Sequence, residues 1–563
     1  VTWIATWAAT PSAIAALIGA SDLDAANNNL RRIGCIALLL LVGCTFYLDI
    51  FHGMRLGQDQ VAFHPIYRLR QSLAVAISRL HDPSPGGYLA YKSVVNVLNE
   101  NGFALFDSEP GLRLDAAGWE TLLTDGPQLN RIIRQAIDGP IDASLPPEII
   151  QANELGYADY IYFSFRLFGD KVSSLYYFFY LIVAATCLIY ILQFRKSPLL
   201  LFLLVIFLAE LYFLEDYANS YGLQQQTVAN SRLFSGLSLV PALHVLFVLW
   251  QRQPPRAFTV AGVSLQSLIF AFLLSCRTEV AWQIAMVAAA ACGLGVVLLR
   301  PLRGQKPGHP IGRLAPLWPA VVLLVVTAAY ATIVFLKVDQ RYATEPKGHI
   351  IWHEILLGIF NSSPELRREY AGTDNVNDQE VYLAVIRDLN ARNDASSPIV
   401  RKLGNGELTI DLMAGWSEYE KLVRSLTLRI VLHHPAVLVE TLPAKVKHQL
   451  FWYNNPVTHS MAWANIRTPA IIIAVGALIC MAAGGLTIGL ADLRSAAVIV
   501  AVLFLFASVT PWIDPGPLSI GSLFCYLGII AIAIPWLAVL LIRRLIGLRS
   551  KPEGVSLGAN SVQ

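Results

Sequence analysis

The sequence predicts an all-α polytopic membrane protein with about ten transmembrane helices, both termini cytoplasmic and two largely helical extracytoplasmic domains. Three observations predict it. Of 563 residues, 55% are hydrophobic and only 14% charged, where a soluble chain carries roughly 25% charged residues. Apolar runs long enough to cross a bilayer recur along the chain. Lys and Arg in the short connections gather on one side.

A spanning helix needs about 20 mostly apolar residues. The segments that qualify are 33–50, 171–194, 198–214, 233–250, 257–275, 280–299, 317–336, 468–490, 495–513 and 518–542. Segment 198–214 is short and carries Glu210; 233–250 contains Pro241 and His244. One set of connections holds Arg195, Lys196, Arg252, Arg256, Arg300, Arg303, Lys306, Arg313 and Arg494, whereas the opposite short loops hold Arg232 and Arg277. Arg31 and Arg32 before the first run, and Arg543, Arg544, Arg549 and Lys551 after the last, fall on the basic side. By the positive-inside rule that side is cytoplasmic.

The expected organisation follows: a cytoplasmic segment 1–32, a first span 33–50, an extracytoplasmic domain 51–170, spans two to seven within 171–336, a second extracytoplasmic domain 337–467, the last three spans within 468–543, and a cytoplasmic tail 544–563. The apolar stretch Ala13 to Ala20 is too short to span and follows no basic residues, so no cleaved signal peptide is expected. In the first outer segment, helical patterns over 66–80 and 128–138 flank turn-rich patches at Pro83 to Gly87 and Gly139 to Pro147. In the second, Ser363-Pro364-Glu365 reads as a helix start, a capping residue followed by proline at the first helical position. Apolar residues at helical spacing continue from Val381 to Leu389.

The seven cysteines sit in apolar runs or at their edges, which argues for small buried hydrophobes and against a disulfide framework or Cys-based zinc site. The net charge of +3 gives no reason to expect nucleic acid. No P-loop, GxGxxG, GxSxG or HExxH pattern occurs; after His353-Glu354, position 357 is Leu.

Acids cluster near the expected outer boundary: Asp49 and Asp59 at and after the first span, Glu215 and Asp216 after the third, Glu279 after the fifth. Carboxylates are costly in hydrocarbon, so each faces water, a cation or a substrate; a solvated helix end is the plain alternative. Arg277 pairs with Glu279 or holds a phosphate by charge-assisted hydrogen bonds. His349 and His353, four apart, have metal-compatible spacing; packed or capping histidines are the favoured reading. Lys445, Lys447 and His448 beside Phe451, Trp452 and Tyr453 read as an interfacial aromatic belt or as a patch that attracts lipid phosphate.

This layout resembles the GT-C class of glycosyltransferases, including bacterial family-39-like members and related uncharacterised polytopic proteins. The resemblance is carried by the long outer loop with Asp49 and Asp59 near its start, by the acidic loop at Glu215-Asp216, and by His434-Pro435 leading to Lys445 and Phe451-Trp452. The stretches Glu154-Leu155-Gly156-Tyr157-Ala158-Asp159-Tyr160, Arg166-Leu167-Phe168-Gly169 and Gly348 to His353 are similar to such proteins as well. The resemblance implies a bacterial inner-membrane enzyme that moves a sugar from a polyprenyl-phosphate donor to a glycan or lipid acceptor on the outer face. It further implies Asp59 or Asp49 as general base, Glu215, Asp216 and Glu279 as ligands of the acceptor or a divalent cation, and Arg277, Arg232 or Lys447 as partners of the leaving phosphate. Two other readings stand beside it. One is a non-catalytic envelope protein whose outer domains bind a partner. The other is a lipid or solute transporter, for which Glu210 and His244 are the intramembrane ionisable residues. An enzyme would gather its polar groups in one cavity open sideways to lipid.

Overall fold

A computed structural model describes residues 20–59, 67–100, 126–142, 144–149, 154–221, 233–299, 314–344, 351–374, 378–411, 416–437, 439–440, 443, 463–483, 496–504, 506, 524–525, 527–533 and 537. Among them helix dominates, and six helices are long and apolar enough to cross a membrane. The chain is a multi-pass α-helical membrane protein.

The first helix, α1, runs Ala20–Asp59, with its apolar window at Asn28–Phe51. The sequence reading ended this element at residue 50; the helix continues because hydropathy marks where lipid contact ends, not where backbone hydrogen bonding ends. Next in the chain come α2 (Tyr67–Ser78), β1 (Leu89–Ala90), α3 (Lys92–Leu98), α4 (Gly126–Asp138), β2 (Glu148–Ile149) and α5 (Leu155–Phe168). β1 and β2 pair antiparallel, Leu89 opposite Ile149.

The bundle continues with α6 (Ser173–Phe194), α7 (Pro198–Tyr221), α8 (Leu233–Leu237), α9 (Leu239–Trp250), α10 (Ala257–Cys276), a 3-10 turn at Thr278–Val280, α11 (Ala281–Leu299) and α12 (Trp318–Lys337). α8 and α9 form one span broken at Ser238, the most deeply buried of the six. Pro241 supplies no N–H to this helix. Gln283 on α11 donates across to Ser235 O at 3.2 Å and Ser238 Oγ at 2.9 Å, which satisfies polar groups at the break. Of the ten expected spans, 198–214 and 468–490 appear as shorter apolar stretches, Pro198–Phe213 and Arg467–Ala482. Segments 495–513 and 518–542 are described only in part, and the described residues there, 496–504, 506, 524–525, 527–533 and 537, are helical.

The bundle wears a belt of exposed large apolar side chains, among them Ile36, Leu40, Leu188, Leu268, Val325 and Ile333. In water such a surface would drive association; in a bilayer it is the lipid-facing wall.

Beyond α12 lie α13 (Arg341–Thr344), α14 (Ile351–Ser362), α15 (Pro364–Tyr370), α16 (Asp378–Arg392), the antiparallel pair β3 (Val400–Lys402) and β4 (Leu408–Ile410), α17 (Trp416–His433) and α18 (Trp463–Ala483). α15 starts where the sequence predicts: Ser363 Oγ accepts from Leu366 N, with Pro364 in the first turn. Phe360, Val381, Val385, Leu389, Tyr419 and Val423 form a core for this segment, separate from the core of the bundle. The segment from α2 to α5 shares the bundle's core through Leu73 to Ile77, Ile132 and Ile133.

Candidate functional site

Where the segment from α2 to α5 meets α6, α10 and α12, a cavity of about 720 Å³ opens at the bundle's rim. One end is polar: Arg79, Tyr88, Asp159, Tyr330 and Lys337. The rest is apolar, with Phe163, Phe178, Leu268, Phe272 and Ile333 in its wall. Phe163, Leu167, Leu268 and Ile333 are also exposed on the outer perimeter, so the apolar wall runs out onto the lipid-facing belt.

Asp159 sits mid-way along α5, a helix of apolar and aromatic residues. α5 is fixed there by close contact with α10. Gly156 has no side chain, and a Cβ at that position would lie 2.5 Å from the carbonyl carbon of Ser275. The Cys276 thiol donates to Gly156 O at 3.2 Å. Tyr157 and Tyr160 stack on each other and both meet Phe234 edge-on, while Tyr160 OH bonds Leu175 O on α6. α5 is therefore held on three sides, and the Asp159 carboxylate with it.

Asp159 is 7% exposed. Oδ1 pairs with Arg79, the residue after α2, and Oδ2 accepts from Tyr88 OH at 2.7 Å. The Arg79 guanidinium lies 4.5 Å from the Tyr162 ring centroid, in cation–π range. Burial, then the Asp159 charge and hydrogen bond, push the Tyr88 hydroxyl far above its ordinary value, so it stays a donor. Tyr88 has a left-handed backbone, φ 61°, and Tyr342 OH holds its carbonyl at 2.7 Å. Asp339 N donates to Gly87 O at 3.2 Å, and Arg341 reaches Pro147 O at 2.9 Å. The chain just after α12 thus clamps the loop that carries Tyr88.

A second buried pair adjoins. Glu154, just before α5, is 3.6 Å from Arg277, and it accepts from Thr278 N at 3.3 Å. The Cys276 thiol lies within electrostatic reach of both Asp159 and Glu154. With Glu154 and Arg277 cancelling, Arg79 and Lys337 against Asp159 leave the cavity one positive charge in excess.

Of the site residues singled out by sequence, Asp49, Arg277 and His353 have described side chains. Asp49 is fully buried inside the bundle, in electrostatic reach of Cys187 on α6, ten residues before the end of α1, and it does not line the cavity. Asp59 ends α1, Glu215 and Asp216 fall in the C-terminal part of α7, and Glu279 lies in the 3-10 turn; for these four the backbone alone is described. Arg277 meets Glu154. Arg232, His349 and Lys447 lie outside the described residues. His353 packs as a core histidine: Nδ1 is 2.8 Å from Tyr419 OH, and its backbone N–H donates to Glu420 at 3.1 Å. Among the described residues, no three His, Cys, Asp or Glu are grouped to hold a metal ion.

Arg79, Tyr88, Asp159, Tyr330 and Lys337 were not reached from sequence as a site. A signal existed for Asp159, an acid flanked by Tyr157, Tyr160, Ile161 and Phe163, since a charge in so apolar a helix needs a purpose. Compared with known proteins, the chain matches no protein family, no curated protein and no solved structure.

Proposed function

We propose that the chain is a GT-C-like glycosyltransferase of the bacterial inner membrane, moving a sugar from a polyprenyl-phosphate donor to an envelope acceptor on the outer face. The observation that supports this is the cavity itself. A volume of about 720 Å³ is in the range of small-molecule sites. Its cationic polar end suits a phosphate, and its apolar wall, continuous with the lipid belt, suits a prenyl chain. With the basic end of the bundle in the cytosol, the cavity faces the outer leaflet.

In this reading Asp159 is the general base. It takes the proton of the acceptor hydroxyl as that oxygen attacks the anomeric carbon. The bond from that carbon to the phosphate oxygen breaks, and its electron pair leaves on the lipid phosphate. Arg79 and Lys337 stabilise the charge that grows there. A carboxylate has about four acceptor sites, so Asp159 can engage Arg79, Tyr88 and a substrate hydroxyl together. The resemblance also admits a divalent cation, and no step is assigned to a metal.

The test is sugar transfer from a polyprenyl-phosphate donor by purified protein carrying Asp159→Asn, beside Asp49→Asn. The reading expects about 10²- to 10⁴-fold loss for the first and little for the second. Folded Asp159→Asn protein with near wild-type transfer would refute it. One observation favours transport instead: Glu210 and His244 are fully buried in the bundle, and Glu210 Oε1 and both His244 ring nitrogens make no hydrogen bond among the described residues. Solute or lipid flux that vanishes in Glu210→Gln, with no transferase activity in wild type, would select that reading.

A further inference from the structure

The opposite, basic end of the bundle holds a second concavity, unrelated to the transfer chemistry. It has a volume of about 420 Å³ and lies between the start of α1, the α6–α7 turn, the end of α9 and the last apolar helices. Arg31, Gln193, Lys196, Gln251 and Gln253 form its polar rim, and Phe247 and Ile499 belong to its apolar floor. No acid is among the described lining residues, and neither Arg31 nor Lys196 makes an ion pair among the described residues.

The rim is built rather than frayed. Gln193 Nε2 donates to Gln253 Oε1, Gln253 Nε2 donates to Gln251 Oε1, and Trp318 Nε1 holds Gln253 O at 2.9 Å. Arg252, at φ 49°, makes the turn between the two rim glutamines. This network leaves one demand unmet: Gln193 Oε1 is buried and accepts no hydrogen bond among the described residues. A buried acceptor without a donor is costly. Two cations and an orphan acceptor, at the interfacial depth marked by half-exposed Trp250, ask for an anion that also brings a hydroxyl.

We infer that this cavity binds the headgroup of an anionic glycerophospholipid, with Arg31 and Lys196 on its phosphodiester and Gln193 Oε1 accepting from a headgroup hydroxyl. The inference rests on the multi-pass reading alone and stands whether or not the other end transfers sugar. A free phosphate ester shares the charge, but the apolar floor formed by Phe247 and Ile499 favours a ligand with acyl chains.

The experiment is native mass spectrometry of the full chain released from nanodiscs containing phosphatidylcholine and phosphatidylglycerol. Wild type is expected to retain phosphatidylglycerol selectively. Each basic residue near a membrane surface is worth about fivefold in lipid affinity, so the Arg31→Gln and Lys196→Gln double variant should lose roughly thirtyfold. The exchange Arg31→Lys with Lys196→Arg should keep the lipid, which separates charge from folding. Arg32→Gln with Arg256→Gln removes two cations of the same end that do not line the cavity, and retention should hold within about twofold. Equal loss in that control would reduce the effect to bulk surface charge and overturn the site. Displacement of the lipid by micromolar glycerol 1-phosphate would overturn the lipid assignment in favour of a soluble ester. Loss of transfer with lipid retention intact would count against the outer cavity only.

Discussion

Replacing Gly156 by alanine tests whether close packing of α5 on α10 is what places Asp159. An added Cβ would lie 2.5 Å from the Ser275 carbonyl carbon and nearer still to its hydroxyl. The hydroxyl can rotate away, but the carbonyl carbon belongs to the backbone of α10. Carbon pairs rest at about 3.5–4.0 Å, so the helices must part by roughly 1 Å. Overpacking of this kind costs about 1–3 kcal/mol, and it strains the hydrogen bond from the Cys276 thiol to Gly156 O. Asp159 is three residues further along the same helix, and a displacement of about 1 Å at a reacting group is worth about 10²-fold in rate. The assay pairs the thermal unfolding midpoint in detergent with sugar transfer. Gly43→Ala and Gly293→Ala are the controls: both glycines are helical and have nothing within 4 Å of an added Cβ, so each should be neutral or gain up to about 1 kcal/mol. If Gly156→Ala unfolds with the controls and transfers like wild type, the packing argument is wrong.

Three more outcomes are expected. Lys337→Gln should raise KM for the lipid-linked donor several-fold and flatten its salt dependence, since Lys337 sits exposed at the cavity mouth and acts by charge. Tyr88→Phe should lower kcat without unfolding the protein, because the ring stays packed while Asp159 loses a hydrogen bond worth about 1–2 kcal/mol; unchanged kcat would remove Tyr88 from the site. The third concerns Glu420, which accepts from Trp352 N at 2.8 Å and His353 N at 3.1 Å and so caps α14 from α17. Burial raises its carboxyl above the ordinary glutamate value, opposed by those two N–H groups. A raised folded value means a stability contribution fully present below the unfolded value and lost as pH rises through the folded one. The stability of wild type relative to Glu420→Gln, followed by urea unfolding of the segment from α14 to α17, should therefore fall across that window; a difference independent of pH would contradict the assignment.

How far the sequence could be read depended on how local each signal was. The spans 171–194, 257–275, 280–299 and 317–336 were legible because lipid demands an unbroken apolar run, and the structure has helices there. The Ser363 cap was legible because its donor, Leu366 N, is three residues away. Asp49 was misleading for a related reason. The apolar run around it ends near Phe51, which suggested a helix end in water, yet α1 continues to Asp59 and packs Asp49 inside the bundle. The cavity could not be read at all. Arg79, Tyr88, Asp159 and Lys337 come from three distant segments, and they meet only because Gly156 lets α5 approach α10 and because Asp339 and Tyr342 pin the Tyr88 loop. Glu420 was invisible likewise, since it caps a helix more than sixty residues earlier in the chain.

The central claim is that the cavity beside Asp159 holds a lipid-linked phosphate. Photo-crosslinking with a polyprenyl phosphate bearing a diazirine on its first isoprene units, followed by peptide mapping, tests it most directly. The account predicts labelling of Phe163, Phe178, Leu268 and Phe272, reduced by unlabelled polyprenyl phosphate and by Arg79→Gln. Labelling spread evenly around the exposed apolar belt, at Leu40 and Val296 as much as at these four, and insensitive to competitor, would contradict it.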